Sequence, residues 1–314
     1  MKNKNSVFIM SNHKNWIIEG IAKDAAAVAQ KEIYFNYWPA RKKDMLNLKN
    51  LKGRCLPKFS DYNLFMHFTS LFAVREKYAK KHSIDLLFQT QIDPGIKFTY
   101  EQKILLLDVD EILVQNRETK NQLIALGVLD SKIEIVYSAV STNDYYPDTK
   151  NFQSNSPYIL IVGDCRIRKN PTLVAKTVTA NPQWNFIIHG RGWENFDQLF
   201  LHPPINLKLI DFELSKNPYL VRNAQALLSL SFLEGGPQTI LEALASGTPV
   251  VATDTGFAAD FLTGENGILL PNEPSPKLIR IAIQKALDIK NLGHQRNLLL
   301  EDFSWKKLSQ KLFP

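Results

Sequence analysis

Apolar positions along the chain switch repeatedly between two periods. Short runs rich in β-branched and aromatic residues have the length of strands: SVFIM (6–10), EIYFNYW (32–38), NLFMH (63–67), DLLFQTQ (85–91), EILVQN (111–116) and KIEIVYSAV (132–140). Between them, WIIEGIAKDAAAVAQ (16–30), LFAVREKYAKKHS (71–83) and ETKNQLIALGV (118–128) carry apolar residues at helical spacing. Strands separated by helices predict βαβ units and a parallel sheet. A polar stretch rich in Asn, Ser and Pro follows at 145–158 and reads as a linker. The alternation then restarts. Strands are expected at 158–164, 185–190, 207–212, 226–231 and 249–253, and helices at 171–180, 219–224, 237–247 and 276–289. Pro237 near the start and Gly247 past the end of one helix follow the usual asymmetry.

This pattern predicts an α/β chain of two Rossmann-like domains, 1–147 and 148–302, with a C-terminal helix at 303–314. The length of 314 residues fits two domains at roughly 150 residues each. A 45% hydrophobic and 22% charged composition excludes a disordered tail. No apolar run reaches the roughly 18–20 residues of a spanning helix, and the basic N-terminus lacks the apolar length and cleavage site of a signal peptide. Cys55 and Cys165 form neither a metal-ligand spacing nor a disulfide framework, which fits the cytoplasm.

Charge adds one feature. The net charge of +7 includes a basic block at 41–58, where Asp44 is the single acid. A block of this kind meets an anionic membrane surface, an acidic acceptor or only solvent. Peripheral attachment to the inner face of the plasma membrane is the expectation. A nucleic-acid role would need aromatic interleaving that the block lacks.

The candidate chemistry lies at SFLEGGPQTILEALASGTPVVATDTG (231–256), a strand–loop–helix–strand. Glu234 closes the strand and Glu242 lies eight residues on, inside the helix. The Gly235-Gly236 pair lets backbone approach a ligand without a Cβ clash. Pro237 pre-sets the first turn. The amides of Gln238, Thr239 and Ile240 then open the positive end of the helix, a ready anion site suited to a diphosphate. In open α/β sheets the ligand crevice lies beyond the carboxyl ends of the strands, where this loop falls.

The frame S-x-x-E-G-x-P-x-x-x-L-E-A-x-A-x-G-x-P-V-V-A-T resembles the signature of family-4 retaining glycosyltransferases. The resemblance covers roughly residues 60–314. It implies the GT-B fold, two Rossmann-like domains with parallel sheets facing an interdomain cleft. It implies transfer from a nucleoside-diphosphate sugar to a glycan or lipid-linked acceptor, as in cell-envelope polysaccharide synthesis, with no bound metal or other cofactor. It assigns Glu234 to hydroxyls of the donor sugar, Glu242 to the ribose and the loop amides to the phosphates.

Members of that family also carry a cationic loop after the first strand of the second domain. Here Lys169 falls on the family's Lys position, and Asp164 stands where many members have Arg. Arg166 or Arg168 would then replace that cation, with Arg168 preferred. Gly190, after its strand, is similar to the family's Gly-rich loop near the nucleotide. His67 ends NLFMH where family members place a His near the donor sugar, and a satisfied structural residue is the alternative. A non-catalytic nucleotide-sugar-binding protein and a UDP-N-acetylhexosamine epimerase are the other readings of the same frame. Asp108 and Asp110 resemble a metal-binding Asp-x-Asp, but surface acids at a helix–strand junction are the preferred reading, and no metal is expected there.

Overall fold

The computed structural model describes residues 6–11, 17–30, 32–37, 62–80, 82–93, 95–147, 157–196, 203–289 and 303–313. Its contacts divide the chain into two units: Met1–Ser138 with Trp305–Pro314, and Ala139–Ser304.

The first unit has strands β1 (Ser6–Ser11), β2 (Glu32–Tyr37), β3 (Tyr62–Phe65), β4 (Ile84–Gln89), β5 (Glu111–Val114) and β6 (Ile133–Ile135). They form one sheet in the order β2-β1-β3-β4-β5-β6, and every pairing is parallel. The helices are α1 (Ile17–Ala29), α2 (Phe68–Arg75), α3 (Tyr100–Asp108) and α4 (Arg117–Ala125). Phe65, Leu87 and Val114 meet Phe68, Leu71 and Leu106 in one buried cluster. Strands buried on both faces read as continuous apolar runs, which is why NLF, DLLF and EILV stood out in the sequence.

Two elements differ from expectation. Helix α2 covers 68–75 instead of 71–83, because His67 turns extended (φ −174°) and its ring accepts from the Thr69 amide as an N-cap. Helix α3 was implied only by the helix–strand junction read at Asp108 and Asp110 and had no expected bounds. Thr99 and Gln102 start it with a reciprocal capping box. Of its side chains Leu106 is buried, while Tyr100, Ile104 and Leu107 are exposed, so its apolar residues define no single face.

The second unit has β7 (Tyr158–Val162), β8 (Asn185–His189), β9 (Leu207–Ile210), β10 (Ala226–Ser229), β11 (Val250–Thr253) and β12 (Gly267–Leu270). All pairings are again parallel, in the order β12-β11-β10-β7-β8-β9. The helices are α5 (Pro171–Thr179), α6 (Asn217–Arg222), α7 (Gln238–Ala245), α8 (Ala258–Phe261) and α9 (Pro276–Leu287). Ile159, Phe186, Leu228 and Val251 pack with Val174, Val178, Ile279 and Ile283. The strand order runs outward from β7 in both directions, so β7 and β10 flank a topological switch point.

The units change over at 138/139, ahead of the expected 147/148. The residues between are held by the second unit. Gln238 Nε2 donates to the Ala139 carbonyl, and Asn217 Nδ2 donates to the Tyr145 hydroxyl. Helix α10 (Trp305–Leu312) groups with the first unit, where it packs on α1. The basic block 41–58 lies outside the described residues, as do residues 12–15 of the first loop. Among the described residues no helix is long and apolar enough to cross a membrane.

Candidate functional site

Three loops meet at the carboxyl ends of β7 and β10. After β7 the chain makes a single 3-10 turn, Ile167–Lys169, and leaves it through Asn170 in the left-handed region (φ 53°). The Asn170 side chain then accepts from the Leu173 amide and starts α5. This turn presents Arg168 and Lys169 toward the loop after β10. The Phe232 amide donates to the Arg168 carbonyl at 2.8 Å and ties the two loops together. Behind them, Gly256 (φ 60°) would set a Cβ 2.8 Å from the Gly235 carbonyl oxygen. Only glycine fits there.

Glu234 is the centre of this arrangement. Its side chain is 6% exposed and accepts from Arg168 Nη1 at 2.6 Å, from Ser231 Oγ at 2.7 Å and from Lys169 Nζ. Burial alone would push its carboxyl up; Lys169 and Arg168 outweigh that and hold it below the usual carboxylate range. Two cations against one carboxylate leave the cluster with one net positive charge. It lies beside the start of α7, where Pro237 is the N-cap residue. The Ile240 amide already donates to the Pro237 carbonyl at 2.8 Å. That engages one of the three expected amides and leaves those of Gln238 and Thr239 to open the helix. Gly235 is buried and Gly236 half-buried between Glu234 and Pro237.

Glu242 sits one turn into α7 and is buried, not turned to solvent. It accepts from Asn217 Nδ2 at 2.8 Å, and the same Nδ2 donates to the Tyr145 hydroxyl at 2.9 Å. Burial pushes its carboxyl up to about 7, and the Tyr145 and Asn217 hydrogen bonds act in the opposite direction. Asn217 also contacts His189 Nδ1 at 3.2 Å, and His189 Nε2 accepts from the Glu213 amide at 3.0 Å. Burial holds the His189 pKa below its ordinary value. Tyr145, His189 and Asn217 were missed from the sequence. A lone His ending an apolar strand, beside Gly190, was the available signal for His189.

The remaining predicted residues have other partners within their own units. Arg166 is largely exposed, and its carboxylate partner is Asp164 at 3.5 Å. Asp164 is held more closely by Arg191, through Nε at 3.1 Å, Nη2 at 3.0 Å and the backbone amide at 3.1 Å. Gly190 serves packing: a Cβ there would lie 2.0 Å from the Gly163 carbonyl oxygen. His67 belongs to the first unit, at the carboxyl end of β3, and caps α2. Asp110 accepts from Lys80 Nζ at 2.6 Å and from the Asp85 amide at 2.7 Å.

Residues 144–298, most of the second unit, match the model of a family described as glycosyl transferases group 1. No curated protein matches the chain in sequence. Its fold is similar to that of Anabaena HepE in complex with UDP-glucose, at 14% identity and a TM-score of 0.74, covering 98% of both chains. Sucrose-phosphate synthase from Thermosynechococcus elongatus is similar at 14% identity and a TM-score of 0.76, covering 98% of this chain and 97% of that one. The lipopolysaccharide outer core galactosyltransferase WaaB is similar at 16% identity and a TM-score of 0.68, covering 98% of both. The fold is that of the GT-B glycosyltransferases.

Proposed function

We propose that this chain, whose second unit matches the model of the group 1 glycosyl transferases, moves a sugar from a nucleoside-diphosphate sugar to a glycan or lipid-linked acceptor. The observation that carries this reading is the Glu234–Lys169–Arg168 cluster at the switch point, beside the opening amides of α7. A cationic cluster and a helix N-terminus at one point suit a diphosphate. The carboxylate among the cations suits sugar hydroxyls next to that diphosphate. Glu242 takes the ribose.

The reaction breaks the bond between the anomeric carbon and the diphosphate oxygen and forms one to the acceptor oxygen. In the retaining course expected from the sequence frame, the acceptor proton passes to the leaving phosphate on the same face. Negative charge grows on that phosphate at the transition state. Lys169 and Arg168, fixed beforehand by Glu234, then lower the barrier with no bound metal. Cell-envelope polysaccharide synthesis is the setting we favour.

The test is release of nucleoside diphosphate from UDP-, GDP- and ADP-sugars, with and without EDTA, beside Glu234→Ala. We expect slow hydrolysis of one donor, insensitive to EDTA, and a loss of at least about a hundredfold in the variant. No binding of any donor would overturn the site. A second reading, a protein that binds the donor without turning it over, draws on Asp164, which engages Arg191 at the position where the family resemblance leads one to expect Arg. Binding of one donor without turnover of any acceptor would favour it. The attachment of residues 41–58 to anionic membrane is checked by sedimentation with liposomes. Binding at low salt that fades as salt is added is the expected result.

A further inference from the structure

Behind Glu242 lies a chain of buried polar groups drawn from four separate elements. His189 ends β8, Asn217 opens α6, Tyr145 lies in the segment that enters the second unit, and Glu242 is on α7. Their exposures are 0%, 2%, 6% and 8%. The directions of the hydrogen bonds around His189 and Asn217 follow from one another. The Glu213 amide donates to His189 Nε2, and a backbone N–H can only donate, so Nε2 carries no proton. The neutral ring then holds its proton on Nδ1 and donates it to Asn217 Oδ1. That fixes the Asn217 amide, which alone would be ambiguous. Its Nδ2 must face Glu242, at 2.8 Å, and the Tyr145 oxygen, at 2.9 Å. With its oxygen already accepting from Asn217, the Tyr145 hydroxyl keeps its own proton on the side of Glu242, whose carboxyl it holds down. The Phe212 ring stacks on His189 with centroids 4.9 Å apart and keeps the imidazole in plane.

Glu242 therefore receives Asn217 as a donor, with the Tyr145 hydroxyl tied to the same amide, and is held as an acceptor. A carboxylate has about four acceptor positions, so capacity remains for two ribose hydroxyls. We propose that Tyr145 and Asn217, with Asn217 oriented by His189, are positioning residues that present the Glu242 carboxylate to the ribose of the bound nucleotide. This rests on the donor-site reading above. It adds three residues that touch neither the sugar nor the phosphates. Tyr145 and Asn217 face Glu242 directly, and His189 and Glu213 stand behind Asn217.

The experiment measures calorimetric affinities of the full chain for UDP, GDP and ADP, each against its 2′,3′-dideoxy form, over a range of pH. Wild type, Tyr145→Phe and Asn217→Ser are compared, with thermal unfolding recorded for each. Wild type should prefer one ribonucleotide over its dideoxy form. Both variants should lose about tenfold of that preference, the scale of one hydrogen bond to a charged group. Their affinity for the dideoxy nucleotide should stay within about twofold of wild type. In Tyr145→Phe the fall of ribonucleotide affinity at low pH should begin at a higher pH, since the carboxylate has lost a donor. A purely structural role would lower the unfolding temperature and leave both readouts unmoved. If Asn217→Ser does not fold, Tyr145→Phe, which keeps the ring, decides. Wild-type preference retained at every pH in the variants overturns the relay and leaves the donor site standing. Equal wild-type affinity for both forms removes Glu242 from the ribose and overturns the relay with it. No binding of any nucleotide overturns the donor site itself.

Discussion

Two glutamates of one short motif are driven in opposite directions by their surroundings. Glu234 is held low by Lys169 and Arg168, while Glu242, with no cation bound to it among the described residues, is pushed up to about 7 by burial. The signs of their stability effects differ accordingly. Glu234, depressed when folded, contributes stability present above 4.5 and lost as pH falls through its lower folded value. Glu242 keeps a proton in the folded protein between 4.5 and about 7 that the unfolded chain has already released, so stability falls as pH rises through that window. Glu242→Gln preserves the acceptor for Asn217 and cannot ionise. Its stability relative to wild type should rise across the window by up to about 1.4 kcal/mol per pH unit, which denaturant unfolding at a series of pH values would read. A gap independent of pH would mean that Glu242 titrates at its ordinary value. The spacing of Glu234, Glu242 and Lys169 was legible because each sits within a continuous local frame. Tyr145, His189 and Asn217 were not, because they meet across separations of 25 to 72 residues and none carries a local signature.

At the scale of elements, the site depends on loops that cannot move apart. Gly256 follows β11, and its missing side chain lets the Glu234–Pro237 loop pass at contact distance. Gly256→Ala meets both the left-handed backbone (φ 60°) and a Cβ 2.8 Å from the Gly235 carbonyl oxygen and 2.9 Å from Pro237 Cδ. The loop that carries Glu234 must shift to admit it. We expect nucleotide affinity to fall by more than about tenfold, with about 1–3 kcal/mol lost in unfolding. Equal loss of affinity and stability, with tight binding recovered at low temperature, would assign the glycine to folding alone. The parallel strands were the most legible elements, since burial on both faces leaves uninterrupted apolar runs. Strand β12 and helix α3 were passed over for the opposite reason. The β12 residues Ile268 and Leu269 are only partly covered, and α3 buries one leucine, so neither shows a clear period.

For the whole molecule, the candidate donor residues fall entirely in the second unit, and His67 is the one candidate in the first. That division makes a separable prediction. His67 has a structural duty, since its Nδ1 accepts from the Thr69 amide and caps α2. Replacement by alanine would remove cap and imidazole together. His67→Asn replaces the ring with a side chain that caps at least as well. If the imidazole also acts in transfer, turnover with the preferred donor should fall by about a hundredfold, the lower range for a proton-transferring group. Nucleotide affinity should not change, because the residues proposed to bind the nucleotide belong to the other unit. Unchanged turnover in His67→Asn would make capping the whole of its role, and the first unit's share of the chemistry would have to be sought elsewhere at the carboxyl ends of its strands. Turnover and nucleotide affinity falling together would mean that the residue acts through folding, which thermal unfolding of the same variant would register.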